Sequence, residues 1–433
     1  MSTGYPEATV IDASGSNTDI GTAHARATEH LRPRVQEWVD STLATYPLDD
    51  PTVERRLDDV IRAWQDLTPG TVEQVGAMAE VYQIPARALL AASLGTYMRS
   101  LDRSLGVTDG CTTMAAPGSR PVLMKNRDNE SRFLPMQTIL RVRPKQGHPW
   151  LALSTAGAPA VHSSGINAAG LAIADTHVAS RDIGPGVPRF SSMMHILEEC
   201  TTTAEAVEYL RTVPQMGLGN LTMVDAEGHT AVVECAFSGS AVIHDVLGDR
   251  DDSGDGDGPG GGNGLGVSGS GGLRVGGSGV GGPGGLGVGG PGGDFPRGAV
   301  VATNHYVDPG LVSSLLEPEQ GTPGADSRAR RETVTTQLRQ WGAGPDLAAA
   351  PDLAAVRALA ATHFWPADAE PGQGEPAPGS LCKHGASARS ETISTAVFDP
   401  VARTVDLCLG RPCEAPFVRI GFDGDPVPVP PAG

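Results

Sequence analysis

Up to about residue 108, apolar side chains recur at helical spacing. Leu, Val, Ala and Trp repeat in this way near 24–46, 52–67, 71–82 and 86–104, with Pro33, Pro47, Pro51, Pro69 and Pro85 as breaks. From Pro121 the pattern shortens to β-type runs. These are Val122–Lys125, Thr138–Val142, Trp150–Ser154, Leu171–Asp175, Leu221–Val224, Ala231–Cys235 and Ala241–Asp245. Helices are expected to interrupt them near 189–199 and 203–213. Beyond lie a strand at Ala299–Thr303, helices near 326–341 and 346–361, and a hairpin of Thr392–Asp399 with Thr404–Leu409 turning through Pro400–Arg403. This succession predicts an α+β layered architecture.

Composition changes that picture at one place. The 433 residues include 57 glycines and 35 prolines, and residues 254–293 are more than half glycine. Such a stretch has too little apolar surface to offset its backbone entropy, so a disordered loop is expected at about 248–297. Its G-x-G-x-x-G patterns follow no strand and open no helix, so they do not carry a nucleotide fingerprint. The neighbouring Asp251, Asp252, Asp255 and Asp257 lack the ligand spacing of a calcium loop.

Charge and cysteine usage exclude further classes. A net charge of −18 without a basic cluster speaks against nucleic-acid binding. No apolar run is long enough for a transmembrane helix, and the start lacks the basic and apolar regions of a signal peptide. A cytoplasmic protein without membrane or nucleic-acid partners is expected. Six scattered cysteines do not make a disulfide scaffold. Cys382, Cys408 and Cys413 raise the question of zinc, but C-x₄-C without a second ligand pair is weak, and no metal is expected. Without a G-x-S-x-G elbow, a serine hydrolase has little support.

The junction between the helical and β-rich parts reads Asp109-Gly110-Cys111-Thr112-Thr113. Gly110 leaves its peptide bond unhindered, and the thiol of Cys111 can attack that carbonyl through a five-membered ring. Hydrolysis of the resulting thioester would leave Cys111 as a new N-terminus. Its α-amine, with a pKa of roughly 7.7–8.0, is then a base on the nucleophile's own residue. Seventeen residues downstream, a strand ending in Lys125-Asn126-Arg127-Asp128 can return Asp128 to Cys111. A small buried core thiol is the plainer reading of Cys111 taken alone.

In these segments the chain resembles the peptidase C45 family, the acyl-coenzyme A:6-aminopenicillanate acyltransferase group of N-terminal-nucleophile (Ntn) hydrolases. The resemblance rests on Gly110–Thr113, Lys125–Asp128, Gly165–Ala172, Ala302–Tyr306, Arg389–Thr392 and Leu407–Cys413, in that order. It implies a four-layer αββα sandwich with a helical pro-segment at 1–110 and a catalytic chain at 111–433, the two remaining associated after autocatalytic cleavage. It also implies that Gly110–Cys111 is the processing bond of a zymogen and Cys111 the nucleophile. Asp128 would hold the new α-amine or orient substrate, and Asn304 would donate to an oxyanion. Arg389 resembles an arginine near the nucleophile in this and related amidases, including bile-salt hydrolases. Lys125 stands where bile-salt hydrolases and acid ceramidase carry arginine, so its role does not transfer directly. Thr112, Lys125, Thr176 and His177 are expected to face substrate, and His305 to be structural.

The implied activity is that of an amidohydrolase or acyltransferase on small N-acyl amides or thioesters, passing an acyl group from Cys111 to water or an amine. No cofactor is expected beyond an acyl-CoA donor. A self-cleaving protein without further turnover, and a non-enzymatic binding protein on the same fold, are the alternatives.

Overall fold

Twenty-six helices and strands are described in a computed structural model covering residues 5–101, 110–159, 161–245, 297–316, 323–342, 351–366, 376–385 and 390–430. The glycine-rich loop, apart from Arg297, and Arg389 lie outside the described residues. Among the described residues no helix is long and apolar enough to cross a membrane.

Contrary to the helical expectation, the N-terminal part opens with a strand, β1 (Val10–Gly15). Then follow α1 (Asn17–Ala27), α2 (Arg32–Thr45), α3 (Pro51–Leu67), α4 (Pro69–Tyr82), α5 (Ala86–Ser93) and α6 (Gly95–Leu101). The single helix expected at 24–46 is two, broken where the Thr28 hydroxyl donates back to the His24 carbonyl at 2.6 Å. Proline stands in the first turn of α2, α3 and α4, where its missing N–H costs nothing. Asp50 caps α3 by accepting from the amides of Thr52 and Val53.

Downstream, β2 (Thr112–Ala116), β3 (Val122–Asn129), β4 (Gln137–Pro144), β5 (Trp150–Thr155), β6 (Ser164–Asn167) and β7 (Ala172–His177) precede α7 (Arg189–Glu199) and α8 (Thr203–Thr212). The chain continues through β8 (Gly219–Val224), β9 (Thr230–Ala236), β10 (Gly239–Ile243), β11 (Val300–Ala302), α9 (Pro309–Val312), α10 (Pro323–Gln340) and α11 (Leu353–Ala360). It ends in β12 (Glu391–Asp399), β13 (Thr404–Leu409), β14 (Phe417–Ile420) and β15 (Val427–Pro428).

The strands form two sheets, ordered β1-β4-β5-β6-β7-β8-β9-β10 and β11-β2-β3-β12-β13-β14-β15. Alternation along the strands explains how the sheets meet. Leu123 of β3 faces Ile139 of β4 and Leu151 of β5 in the core between the sheets. Val122 and Met124, pointing the other way, pack with Val334 of α10 and Val356 of α11. Leu140 likewise turns outward to Ile20 of α1 and to Met193 and Ile196 of α7. The protein is therefore a mixed α+β fold with two facing sheets and helices on their outer faces.

The N-terminal segment is built into this body. β1 pairs parallel to β4, Val10 opposite Ile139. Leu57, Trp64, Met78 and Tyr82 of α3 and α4 share one core with Phe133, Met216 and Ile393 from beyond Cys111.

Candidate active site

Cys111 sits immediately before β2, with β11 on one side of that strand and β3 on the other. The register places Thr112 opposite Asn126 and Thr113 opposite Lys125. Returning along β3, Asp128 comes back to the junction: the Cys111 thiol reaches the Asp128 carbonyl at 3.9 Å. The expected pairing of Cys111 and Asp128 is therefore present as a cross-strand neighbourhood. Both residues line a cavity of about 160 Å³, together with Lys125 and His177.

The Asp128 carboxyl is fully buried and only half satisfied. One oxygen accepts from the Thr392 hydroxyl at 2.6 Å, whereas Oδ2 has no partner among the described residues. That oxygen points at Gly110: a Cβ built there would stand 2.4 Å from Asp128 Oδ2 and 2.8 Å from Lys383 Nζ. A side chain before Cys111 would have to displace the Asp128 carboxyl and the Lys383 side chain from their present places. Burial pushes the Asp128 carboxyl up to about 6, against the attraction of Lys383 and Arg330. A folded-state value above the usual 3.8 means that the native chain binds this proton more tightly than the unfolded chain does. Protonation therefore stabilises the uncleaved fold fully below about pH 4, and this stabilisation is lost as pH rises through 6. In a Cys111→Ala background, Asp128→Asn is expected to gain up to about 3 kcal/mol relative to Asp128 between those limits. Denaturant unfolding of the two proteins across that pH range measures the difference, and parallel curves would contradict it.

A second charged group forms the opposite wall. Lys125 is buried and donates to the carbonyl and the carboxylate of Asp175, while Arg189 pairs with the other carboxylate oxygen at 3.2 Å. Burial opposes the charge on Lys125, but Asp175 and the neighbouring Cys111 more than offset it and hold its pKa up. Asp175 shows the converse: burial raises it, yet Lys125 and Arg189 draw it down to about 2. Burial takes His162 and His177 down to about 3, with Arg127 and Arg189 respectively adding to the effect, so both imidazoles are neutral at ordinary pH. Trp38, Phe133, Phe190 and Leu94 supply an apolar side to the same cavity. Trp38, Leu94 and Arg99 come from the N-terminal segment, so the cavity has walls from both sides of Gly110–Cys111.

The remaining expected residues are placed differently. Asn304 follows β11 and does not line the cavity; its side-chain amide donates to the His177 carbonyl at 2.8 Å. Thr112 and Thr176 are also absent from the lining. Thr112 accepts from Arg330, and Thr176 donates to the Thr303 carbonyl at 2.7 Å, both within the interior. Of the four side chains expected to face substrate, Lys125 and His177 therefore reach the cavity. His305 is buried against Ser327 and Thr303, as a structural histidine would be. Arg389 lies outside the described residues.

Sequence reasoning missed Arg330, on α10. Its guanidinium is 1% exposed and ties the site together. It donates to the Cys111 carbonyl at 2.7 Å, to Thr112 Oγ1 at 2.8 Å and to Asn304 Oδ1 at 2.7 Å, while its Nε pairs with Asp326 at 2.9 Å. Asp326 and Arg330 stand four apart on a helix, which is a pairing signal, but equally the signature of a solvated ion pair. Only the fold reveals that this pair is buried behind the thiol. Outside the cavity, His363, Cys382, His384 and Cys413 are the one group of such side chains, among the described residues, close enough to share a metal ion.

Fold and site together define a mixed α+β protein with a buried thiol at the mouth of a strand, facing a cavity lined by a carboxylate and a lysine. Residues 115–246 match the family model described as acyl-coenzyme A:6-aminopenicillanic acid acyl-transferase, the family that the sequence motifs resemble. The match includes Lys125, Asp128, Thr176 and His177; Cys111 lies just before it, and Asn304 and Arg330 lie beyond it. No curated protein matches the chain. Among solved structures the chain is similar to a mutant of conjugated bile acid hydrolase from Clostridium perfringens. That likeness has 13% identity and a TM-score of 0.39, covering 74% of this chain and 96% of the other. It is also similar to penicillin V acylase from Agrobacterium tumefaciens, with 13% identity, a TM-score of 0.31, and 69% and 83% of the two chains covered.

Proposed function

We propose that this protein is an autoprocessed cysteine amidohydrolase or acyltransferase of the Ntn type, with Cys111 as nucleophile. The observation that carries this reading is the buried Oδ2 of Asp128, without a partner among the described residues and aimed at the Gly110–Cys111 junction inside the cavity. An α-ammonium created at Cys111 would supply the missing partner. The facing sheets with outer helices fit an αββα sandwich, with 1–110 as pro-segment and 111–433 as catalytic chain.

In processing, Cys111 Sγ attacks the Gly110 carbonyl carbon, and the C–N bond breaks as the acyl group moves to sulfur. Water then hydrolyses the thioester, leaving a carboxylate on Gly110 and an amine on Cys111. The two pieces stay associated, since they share an apolar core and both line the cavity. In turnover, the α-amine takes the thiol proton, and the thiolate attacks the carbonyl of a small N-acyl amide or thioester. Asn304, whose amide gives one hydrogen to the His177 carbonyl from just behind the cavity wall, would turn its second hydrogen to the oxyanion, alongside a backbone N–H. The protonated amine then gives its proton to the leaving group, and water or an amine releases the acyl group from sulfur. Arg330 holds Asn304 in place by donating to its Oδ1. Lys125 and His177 meet substrate, whose acyl chain lies on the Trp38 and Phe190 side.

The test is trapping. Purified protein incubated with N-acyl amino acids, aminolactams or acyl-CoA and quenched in acid is expected to show an acyl adduct on the peptide beginning at Cys111. Cleaved protein that acquires no adduct and turns over none of these compounds would favour a protein that only cleaves itself.

A further inference from the structure

On the seven-stranded sheet's side of the molecule, three segments remote in sequence converge. His363 follows α11, Cys382 and His384 lead towards β12, and Cys413 lies between β13 and β14. The ligand-type atoms of these four side chains all lie within 4.8 Å of one another. The two sulfurs are 3.6 Å apart, the two Nε2 atoms 2.9 Å, and Cys413 Sγ lies 3.7 Å from His384 Nε2. A tetrahedral zinc with Zn–S of about 2.3 Å and Zn–N of about 2.0–2.1 Å has edges of about 3.8 Å between sulfurs and about 3.3 Å between nitrogens. These three separations are thus close to the edges of one coordination sphere, and a small closing movement would bring all four atoms, which lie within 4.8 Å, onto it.

Their supports are ordered. The amides of Leu381 and Cys382 both donate to the Thr362 carbonyl, joining the two segments beside the cluster. Trp365 stacks on His363, with centroids 5.5 Å apart and planes at 18°, and meets His384 edge-on. Other readings account for less. Two sulfurs at 3.6 Å are not bonded, a disulfide needing about 2.05 Å, and a disulfide would leave the paired imidazoles unexplained. Cys408, the third cysteine considered from the sequence, is buried apart, its sulfur near the Gly410 and Ala415 carbonyls.

We propose that His363, Cys382, His384 and Cys413 bind one zinc ion in a closed, structural site. Two thiolates and two imidazoles in a tetrahedron match zinc's ligand chemistry, and four protein ligands leave no position for substrate. This replaces the expectation of no metal, which followed from spacing: the C-x₄-C of Cys408 and Cys413 had no second ligand pair, and the two histidine ligands stand 29 and 50 residues before Cys413 in sequence. The site has a consequence for the cavity. Lys383, between two of the ligands, pairs with Asp326 and reaches the Gly110 wall. Its backbone N–H donates to Thr392 Oγ1 and its carbonyl accepts from the Thr392 amide, while Thr392 holds Asp128. Zinc would pin the strap that positions these groups.

The test is metal content, independent of catalysis. Full-length protein expressed with added zinc and purified without chelator is expected to carry one zinc per chain by plasma mass spectrometry. Cys413→Ser and His384→Ala are expected to lose it to background, whereas Cys408→Ser keeps it. Zinc at background in the wild-type protein, iron in its place, or a Cys382–Cys413 disulfide in an unreduced digest would overturn the proposal. Should Cys382→Ser fail to fold, the exposed Cys413 carries the test: zinc retained in folded Cys413→Ser and His384→Ala would equally overturn it. Chelation is expected to lower the melting temperature of wild-type protein and leave that of Cys413→Ser unchanged.

Discussion

Cys111→Ala is expected to yield one uncleaved chain, where the wild-type protein is expected, on the proposed mechanism, to yield fragments 1–110 and 111–433. The expectation rests on the proposed mechanism, which assigns the attack on the Gly110 carbonyl to the Cys111 thiol. The Cys111 thiol is buried beside Asp128, and Gly110 has no side chain to hold its carbonyl away. Cys111→Ser keeps the geometry but replaces the thiol with a hydroxyl that ionises far less readily, so slow or incomplete cleavage is expected. Alanine offers no attacking atom. Its fold should survive, because the substitution removes one sulfur from a small, mostly enclosed site. Intact-mass measurement, with N-terminal sequencing of the larger wild-type fragment starting at Cys-Thr-Thr, reads the outcome. Cleavage at the same bond in Cys111→Ala would remove the nucleophile from the proposal. Gly110→Ala should also impair cleavage, since its Cβ would collide with Asp128 and Lys383.

Much of the scaffold for this chemistry was legible because periodicity reports burial. Val122–Lys125 was recognisable as a strand, and it is the first half of β3, whose two faces meet different cores. β1 was not legible, since Val10 and Ile11 are only half-buried and the strand owes its existence to β4 beside it. β2 was missed for another reason. Thr112–Ala116 lacks a β-branched hydrophobic run: this strand, buried on both faces, has two threonines and two alanines around Met114. Cys111, Asp128 and Lys125 were named from one short stretch and from the family resemblance it carries, and the fold brings all three to one cavity. Arg330 and the His363–Cys382–His384–Cys413 group were not, because each depends on segments whose adjacency is created only by folding. A helix-borne Asp-Arg pair and a scattered histidine carry no sign of what will lie opposite them.

Arg330 supplies the other large expected effect. Its guanidinium connects Asn304 Oδ1 to the Cys111 carbonyl, so the Asn304 amide is oriented by a group that does not itself line the cavity. In the proposed mechanism Asn304 donates to the oxyanion, and losing one such donor typically costs about 10²–10³ in kcat. Asn304→Ala is therefore expected to lower kcat by about that factor while leaving KM near wild type, with a modest fall in melting temperature because Arg330 and the His177 carbonyl each lose a partner. Arg330→Met should match it in kcat and lower stability further, because Asp326 then keeps, among the described residues, only Lys383 as a charged partner in a mostly buried place. The double variant separates positioning from general loss of structure. If Arg330 acts through Asn304, removing both should reduce kcat no further than removing either. Steady-state kinetics on the four proteins measures this, and multiplicative losses would show that Arg330 acts independently of Asn304. Arg330→Lys, which keeps the charge but not the planar fork, should recover stability more than it recovers kcat.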